Sequence, residues 1–119
     1  MDIEKRAPDG PCIVVHNSPL VADDLRELLT MAGAADVVVA RNLDSVEGQA
    51  ACLAIVKAEG PDTPDRAAVR DWLAAGTPVI VLNGRANAGD KAAGLYAVDE
   101  PFSSADIHAI LRQTGVFEG

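Results

Sequence analysis

The run Leu53-Ala54-Ile55-Val56, closed by Lys57, decides how the rest of the chain is read. A short, uninterrupted apolar run bounded by polar residues is the pattern of a strand buried on both faces. Two similar runs flank it, Ile13-Val14-Val15 upstream and Val79-Ile80-Val81-Leu82 downstream, with helical patterns between. That spacing makes it the middle strand of a parallel sheet. In open parallel sheets, ligands bind outside the carboxyl ends of the central strands, where the strand order reverses. Lys57 is therefore expected at the mouth of the main site.

Upstream, residues 12–15 form the first strand and His16-Asn17-Ser18 the loop after it. Ser18 before Pro19 is a helix cap with proline at the first helical position. Val21, Leu25, Leu28 and Ala32 recur at helical spacing as the inward face, and Gly33 ends the helix. Val37-Val38-Val39 marks the second strand. Asn42 caps a short helix running to about Ala50, with Leu43 and Val46 inward and Gly48 as a weak point.

Downstream, residues 57–62 form a loop, and Thr63-Pro64-Asp65 repeats the cap-then-proline start. Val69, Trp72 and Leu73 give that helix its inward stripe, and Gly76 closes it. The fourth strand spans 78–82. Residues 83–93, rich in Gly, Ala and Asn, make at best a short, poor helix. The fifth strand spans 95–98. Ser103 with Asp106 is a capping-box pattern. Ile107, Ile110 and Leu111 are the buried stripe of the last helix, which Gly115 ends, and Phe117 is placed to fold back onto the domain. Five strands alternating with five helices predict an α/β domain whose parallel sheet is covered on both faces. Residues 1–10 read as a flexible N-terminal tail and residues 11–119 as a single domain.

Composition narrows the function. Of 119 residues, 49% are hydrophobic, enough to fill one core, yet only Trp72, Tyr96, Phe102 and Phe117 are aromatic. A formal charge of -8 argues against nucleic acid or an anionic membrane as partner, since both require a basic surface. Cys12 and Cys52 each open an apolar run and read as buried, inert thiols. Neither lies in a CxxC or near histidines at zinc-ligand spacing. No segment is long enough to span a membrane, and the polar start lacks a signal peptide's apolar stretch. A reduced, cytoplasmic setting is the default expectation.

A strand followed by a polar pair and a Ser-Pro-Leu helix, then Val-Ile-Val-Leu-Asn-Gly at 79–84, then Glu-Pro-Phe-Ser at 100–103, resembles the receiver domain of bacterial two-component response regulators. The resemblance runs from Pro11 to about Thr114. It implies a doubly wound, five-stranded parallel sheet of order 2-1-3-4-5, the flavodoxin-like receiver fold, with one pocket at the ends of strands one, three, four and five. It also implies a cis peptide before Pro101. In that family two acidic residues after strand one hold Mg²⁺, an aspartate ending strand three accepts the phosphoryl group, a Thr or Ser ends strand four, and a Lys precedes the proline after strand five. Here those positions carry His16 and Asn17, Lys57, Asn83, and Glu100 before Pro101. The family's aromatic switch position in strand five is Ala97, and neighbouring Tyr96 should point to the opposite face.

The chemistry of these residues is plain without the family name. Mg²⁺ takes hard oxygen ligands, usually including a carboxylate, and a lysine amine cannot form the acyl phosphate that an aspartate forms. No metal, cofactor or catalytic residue is expected. The charges of the family's acid and lysine stand exchanged in Lys57 and Glu100, which predicts an ion pair across the pocket. The stretch from Gly84 to Lys91 only mimics a phosphate loop, since Asp90 separates Gly89 from the lysine and no hydroxyl follows. A flavin site would need a hydroxyl-rich loop and aromatics that the chain lacks, and His16 and His108 complete no catalytic constellation. The reading is a stand-alone, phosphorylation-independent pseudo-receiver. It would bind a histidine kinase, a phosphotransfer protein or another receiver, as a monomer or homodimer. A phosphorelay receiver using Asp62, Asp65 or Asp99 is one alternative. A small-molecule sensor with His16, Asn17 and Asn83 lining a pocket near Lys57 is the other.

Overall fold

The computed structural model describes residues 10–60, 62–84 and 93–117. Strands β1 (Cys12–Val15), β2 (Val37–Ala40), β3 (Leu53–Lys57), β4 (Val79–Leu82) and β5 (Leu95–Val98) form one sheet of order β2-β1-β3-β4-β5. Every pairing is parallel, with Val14 opposite Val39 and Ile55, and Ile55 opposite Ile80. Among the described residues, three helices accompany the strands: α1 (Pro19–Ala32), α2 (Ala67–Ala74) and α3 (Ser104–Thr114).

Strand alternation sorts the side chains into two cores. Ile13, Val15, Ala54, Val56, Val79 and Val81 face α2, where Val69 and Trp72 meet them. Cys12, Val14, Leu53, Ile55, Ile80 and Leu82 face α1 and α3, packing on Leu25, Leu29, Ile107 and Leu111. Both faces are covered, which is why the strands read as continuous apolar runs. The edge strand β2 is only half-buried. After β1 the chain turns to β2 on one side and returns to β3 on the other, so the order reverses between the carboxyl ends of β1 and β3.

Several local expectations need correction. The predicted helix from Asn42 is only a 3₁₀ turn, Leu43–Val46. Asn42 does cap it, accepting from the Ser45 N–H at 3.0 Å, and Leu43 and Val46 do point inward. It stops there because Glu47 turns to a non-helical ψ of 132°, and Gly48 follows with a positive φ of 83°. Thr63 does not cap α2. It opens a separate 3₁₀ turn, Thr63–Asp65, and its buried hydroxyl instead donates to Gly60 O and accepts from the Glu59 N–H. In α1 the buried face is Ala22, Leu25 and Leu29, with Val21, Leu28 and Ala32 as its half-buried flank. Of the five helices expected, the first, third and last are present as α1, α2 and α3, the second is a 3₁₀ turn, and the one at 83–93 falls outside the described residues but for its ends. All of the Gly84–Lys91 mimic but Gly84, and all of the tail but Gly10, lie outside the described residues.

The ends of α1 and α3 match their sequence signals. Ser18 accepts from the Val21 N–H with Pro19 at the first helical position, and Ser103 and Asp106 form a reciprocal capping box. Gly115 closes α3 with φ 69°, and Phe117 packs back beside Gly33.

Candidate functional site

Four strand ends deliver the site. β1 runs into His16, β3 ends on Lys57, β4 runs into Asn83, and β5 leads through Asp99 to Glu100. The backbone pairing continues one step past the strands: His16 N–H donates to Ala40 O at 3.0 Å, Ala58 N–H to Leu82 O at 2.9 Å, and Asn83 N–H to Val98 O at 2.7 Å. These bonds fix the first residue of each loop. Asn83 takes a positive φ of 63°, a conformation that asparagine tolerates better than most side chains. A Cβ on the next residue, Gly84, would collide with the Val81 side chain, so the chain can leave the sheet this closely only with glycine.

Glu100 is the centre of the cluster. Its Oε1 accepts from Lys57 Nζ at 3.1 Å and from Asn83 Nδ2 at 2.6 Å, and its Oε2 accepts from His16 Nε2 at 2.9 Å. Asn83 Oδ1 accepts the Glu100 backbone N–H at 2.7 Å, so one amide holds both the main chain and the carboxylate. His16 is buried, and its Nδ1 accepts the Ser18 N–H at 2.9 Å. That bond requires a bare Nδ1, which leaves the ring neutral with its proton on Nε2, donated to Glu100. The cluster is thus one cation, one anion and two neutral donors, with no net charge.

Burial pushes the Glu100 carboxyl up, but the hydrogen bonds from His16 and Lys57, with the Lys57 charge, outweigh it and hold the group below the usual carboxylate range. The side chains of Lys57 and Glu100 are 32% and 19% exposed, so the pair lies between a surface and a buried salt bridge. Lys57 does not turn to its sequence neighbours. Glu59 is engaged elsewhere, accepting from Arg66 Nη1 at 2.8 Å and from the Leu43 N–H at 2.9 Å, while Arg66 Nη2 also reaches Asp44 at 2.7 Å. Asp99 is exposed.

The structure therefore gathers His16, Lys57, Asn83 and Glu100, and leaves Asn17 and Pro101 exposed at the rim. The Glu100–Pro101 peptide is cis. Ala97 sits in β5 opposite Val81, while Tyr96 and Val98 pack on the α1/α3 face, away from it. Two things were not visible in the sequence: the double tie of Asn83 and the His16 bond to Glu100. A polar residue after a strand signals a loop, not its partner. The Asp44–Arg66–Glu59 bridge, which binds the first 3₁₀ turn to the loop after β3, carried no signal either.

A receiver-type Mg²⁺ does not fit this donor set. His16 offers a donating N–H, Lys57 is a cation, and the one carboxylate of the cluster already takes three donors. Among the described residues, no three His, Cys, Asp or Glu side chains stand together as metal ligands.

No family model and no curated protein matches the chain. Among solved structures it is similar to the response regulator StyR, known from a low-resolution structure, with a TM-score of 0.62 and 17% identity over 87% of this chain. The chain spans 57% of the length of that protein. The likeness establishes a receiver-like, flavodoxin-like fold.

Proposed function

We propose that this domain is a pseudo-receiver: a phosphorylation-independent protein-interaction module of bacterial signal transduction, acting in the cytoplasm through a histidine kinase, a phosphotransfer protein or another receiver. The observation that carries the reading is the Lys57–Glu100 pair, closed by His16 and Asn83. At the strand-three position where a receiver presents its acceptor carboxylate, this chain presents an ammonium already neutralised from across the pocket. An amine there offers no route to an acyl phosphate. The phosphorelay alternative fares worse, because Asp62, Asp65 and Asp99 are all exposed and none bonds into the cluster. The sensor alternative loses its anchor, since the Lys57 cation is taken by Glu100.

The test is incubation with acetyl phosphate and Mg²⁺ followed by intact mass, with beryllofluoride titration of backbone amide shifts along β5 in parallel. Neither is expected to change the protein. A phosphoryl mass gain that is labile to hydroxylamine and lost on removing one acid would overturn the reading. Lys57→Asp alone is expected to stay unphosphorylated, because His16 and Asn17 supply no metal carboxylate. Partner capture should be the same with and without the phosphate analogue.

A further inference from the structure

At the amino-terminal end of the central strands, opposite the end that carries Glu100, the sulfurs of the chain's two cysteines meet: Cys12 Sγ lies 3.6 Å from Cys52 Sγ. Both thiols are free. We propose that Cys12 and Cys52 are a redox pair that closes into a reversible intramolecular disulfide, joining the start of β1 to the entry of β3.

The placement follows from the backbone. Cys12 is the first residue of β1 and pairs with Leu53. Cys52 precedes β3 in a bend, and regular alternation from Leu53 would send its side chain to the α2 face. Instead Ala51 packs on that face, and Cys52 joins Cys12 on the α1/α3 face. Two contacts press the segments together. The Cys52 N–H donates to Pro11 O at 3.1 Å, and a Cβ on Gly10 would lie 3.0 Å from Ala50 O. A disulfide needs an S–S distance of ~2.05 Å, so the sulfurs must close by about 1.5 Å.

The two thiols differ in the way a reactive and a resolving cysteine differ. Cys12 is fully buried, whereas Cys52 is half-buried and open to a small oxidant. The contact between the two sulfurs lowers the Cys52 thiol to about 7 against the opposing pull of burial. The same contact, with burial, pushes Cys12 upward. The thiolate is the nucleophile, so Cys52 reacts first. Its sulfur attacks one oxygen of a hydroperoxide, the O–O bond breaks, and the departing oxygen leaves as water or alcohol. Cys52 is then a sulfenic acid. The Cys12 sulfur attacks the Cys52 sulfur, its proton goes to the departing hydroxyl, and a second molecule leaves as water. Two thiols have lost two electrons and the peroxide has gained them. A dithiol reductant reverses the bond by exchange.

The experiment uses the full chain with hydrogen peroxide. Expected are an intact-mass loss of two hydrogens, disappearance of both alkylatable thiols, a single Cys12–Cys52 cross-linked peptide, and full reversal by dithiothreitol. Cys12→Ala should stall as a sulfenic acid on Cys52 that dimedone traps. If that variant does not fold, the wild-type peptide map still decides the matter. Oxygen addition at either cysteine without cross-linking, disulfide-linked dimers in place of the internal bond, or two thiols still alkylatable after peroxide would each overturn the proposal.

Discussion

Three donors from three strand ends meet on the Glu100 carboxylate, so removing it leaves all three without their acceptor. Glu100→Ala is expected to destabilise the domain by about 1–3 kcal/mol, the cost of stranding the buried His16 and partly buried Lys57 donors while exposed Asn83 turns to water, measured by urea unfolding. The direct Lys57–Glu100 term is smaller. Exposed pairs contribute about 0–1 kcal/mol, and breaking a fully buried pair costs roughly 3–5 kcal/mol. With both side chains only partly exposed, a double-mutant cycle on Lys57→Met and Glu100→Gln should return a coupling of about 1 kcal/mol, and additive losses would contradict the pairing. Acid should act through the same group. Glu100 is held below its unfolded value, so its contribution is fully present above the ordinary carboxylate range. It is lost as pH falls through the depressed native value. Glu100→Gln should remove that part of the acid dependence, read as a flatter fall of the urea midpoint between neutral and acid pH.

At the scale of elements, what was legible was chemistry confined to a few neighbouring residues. Ser18-Pro19 starts α1, and the Ser103–Asp106 box starts α3, because a cap needs only a side chain and an N–H three residues on. Ser103→Ala is expected to cost about 1 kcal/mol and to fray the first turn of α3, seen as faster amide exchange there. The failures also have physical causes. Asn42 capped a turn that could not lengthen into a helix once Glu47 and Gly48 had left the helical region. Thr63 looked like a cap, but its hydroxyl was drawn into the loop by Gly60 and Glu59, whose positions only the fold determines. In α1 the spacing was right and the phase slightly off: Ala22 and Leu29 are buried beside Leu25, while Val21, Leu28 and Ala32 flank them half-buried, since adjacent apolar residues leave the centre of the stripe undetermined.

For the whole molecule, the uninterrupted runs in β1, β3 and β4 already announced a sheet covered on both sides, whereas the order β2-β1-β3-β4-β5 was implied only by the resemblance to receiver domains, and it holds. The Lys57–Glu100 pair was legible only by setting two distant positions beside a known pattern. The bonds of His16 and Asn83 to Glu100 and the meeting of Cys12 with Cys52 were not legible, since their partners are 84, 17 and 40 positions away. A domain with its two cores sharing one sheet should unfold in one step, with coincident transitions by different probes. Trp72 makes that easy to follow. It is the only tryptophan, it lies 3% exposed against the sheet, and its indole N–H donates to Gln49 O at 2.7 Å. Its native fluorescence should be blue-shifted and should move red on unfolding, at the same urea midpoint as the loss of helical circular dichroism. Because Gln49 stands just ahead of Cys52, this indole is also an optical gauge set beside the thiol pair, able to register a rearrangement there without any added label.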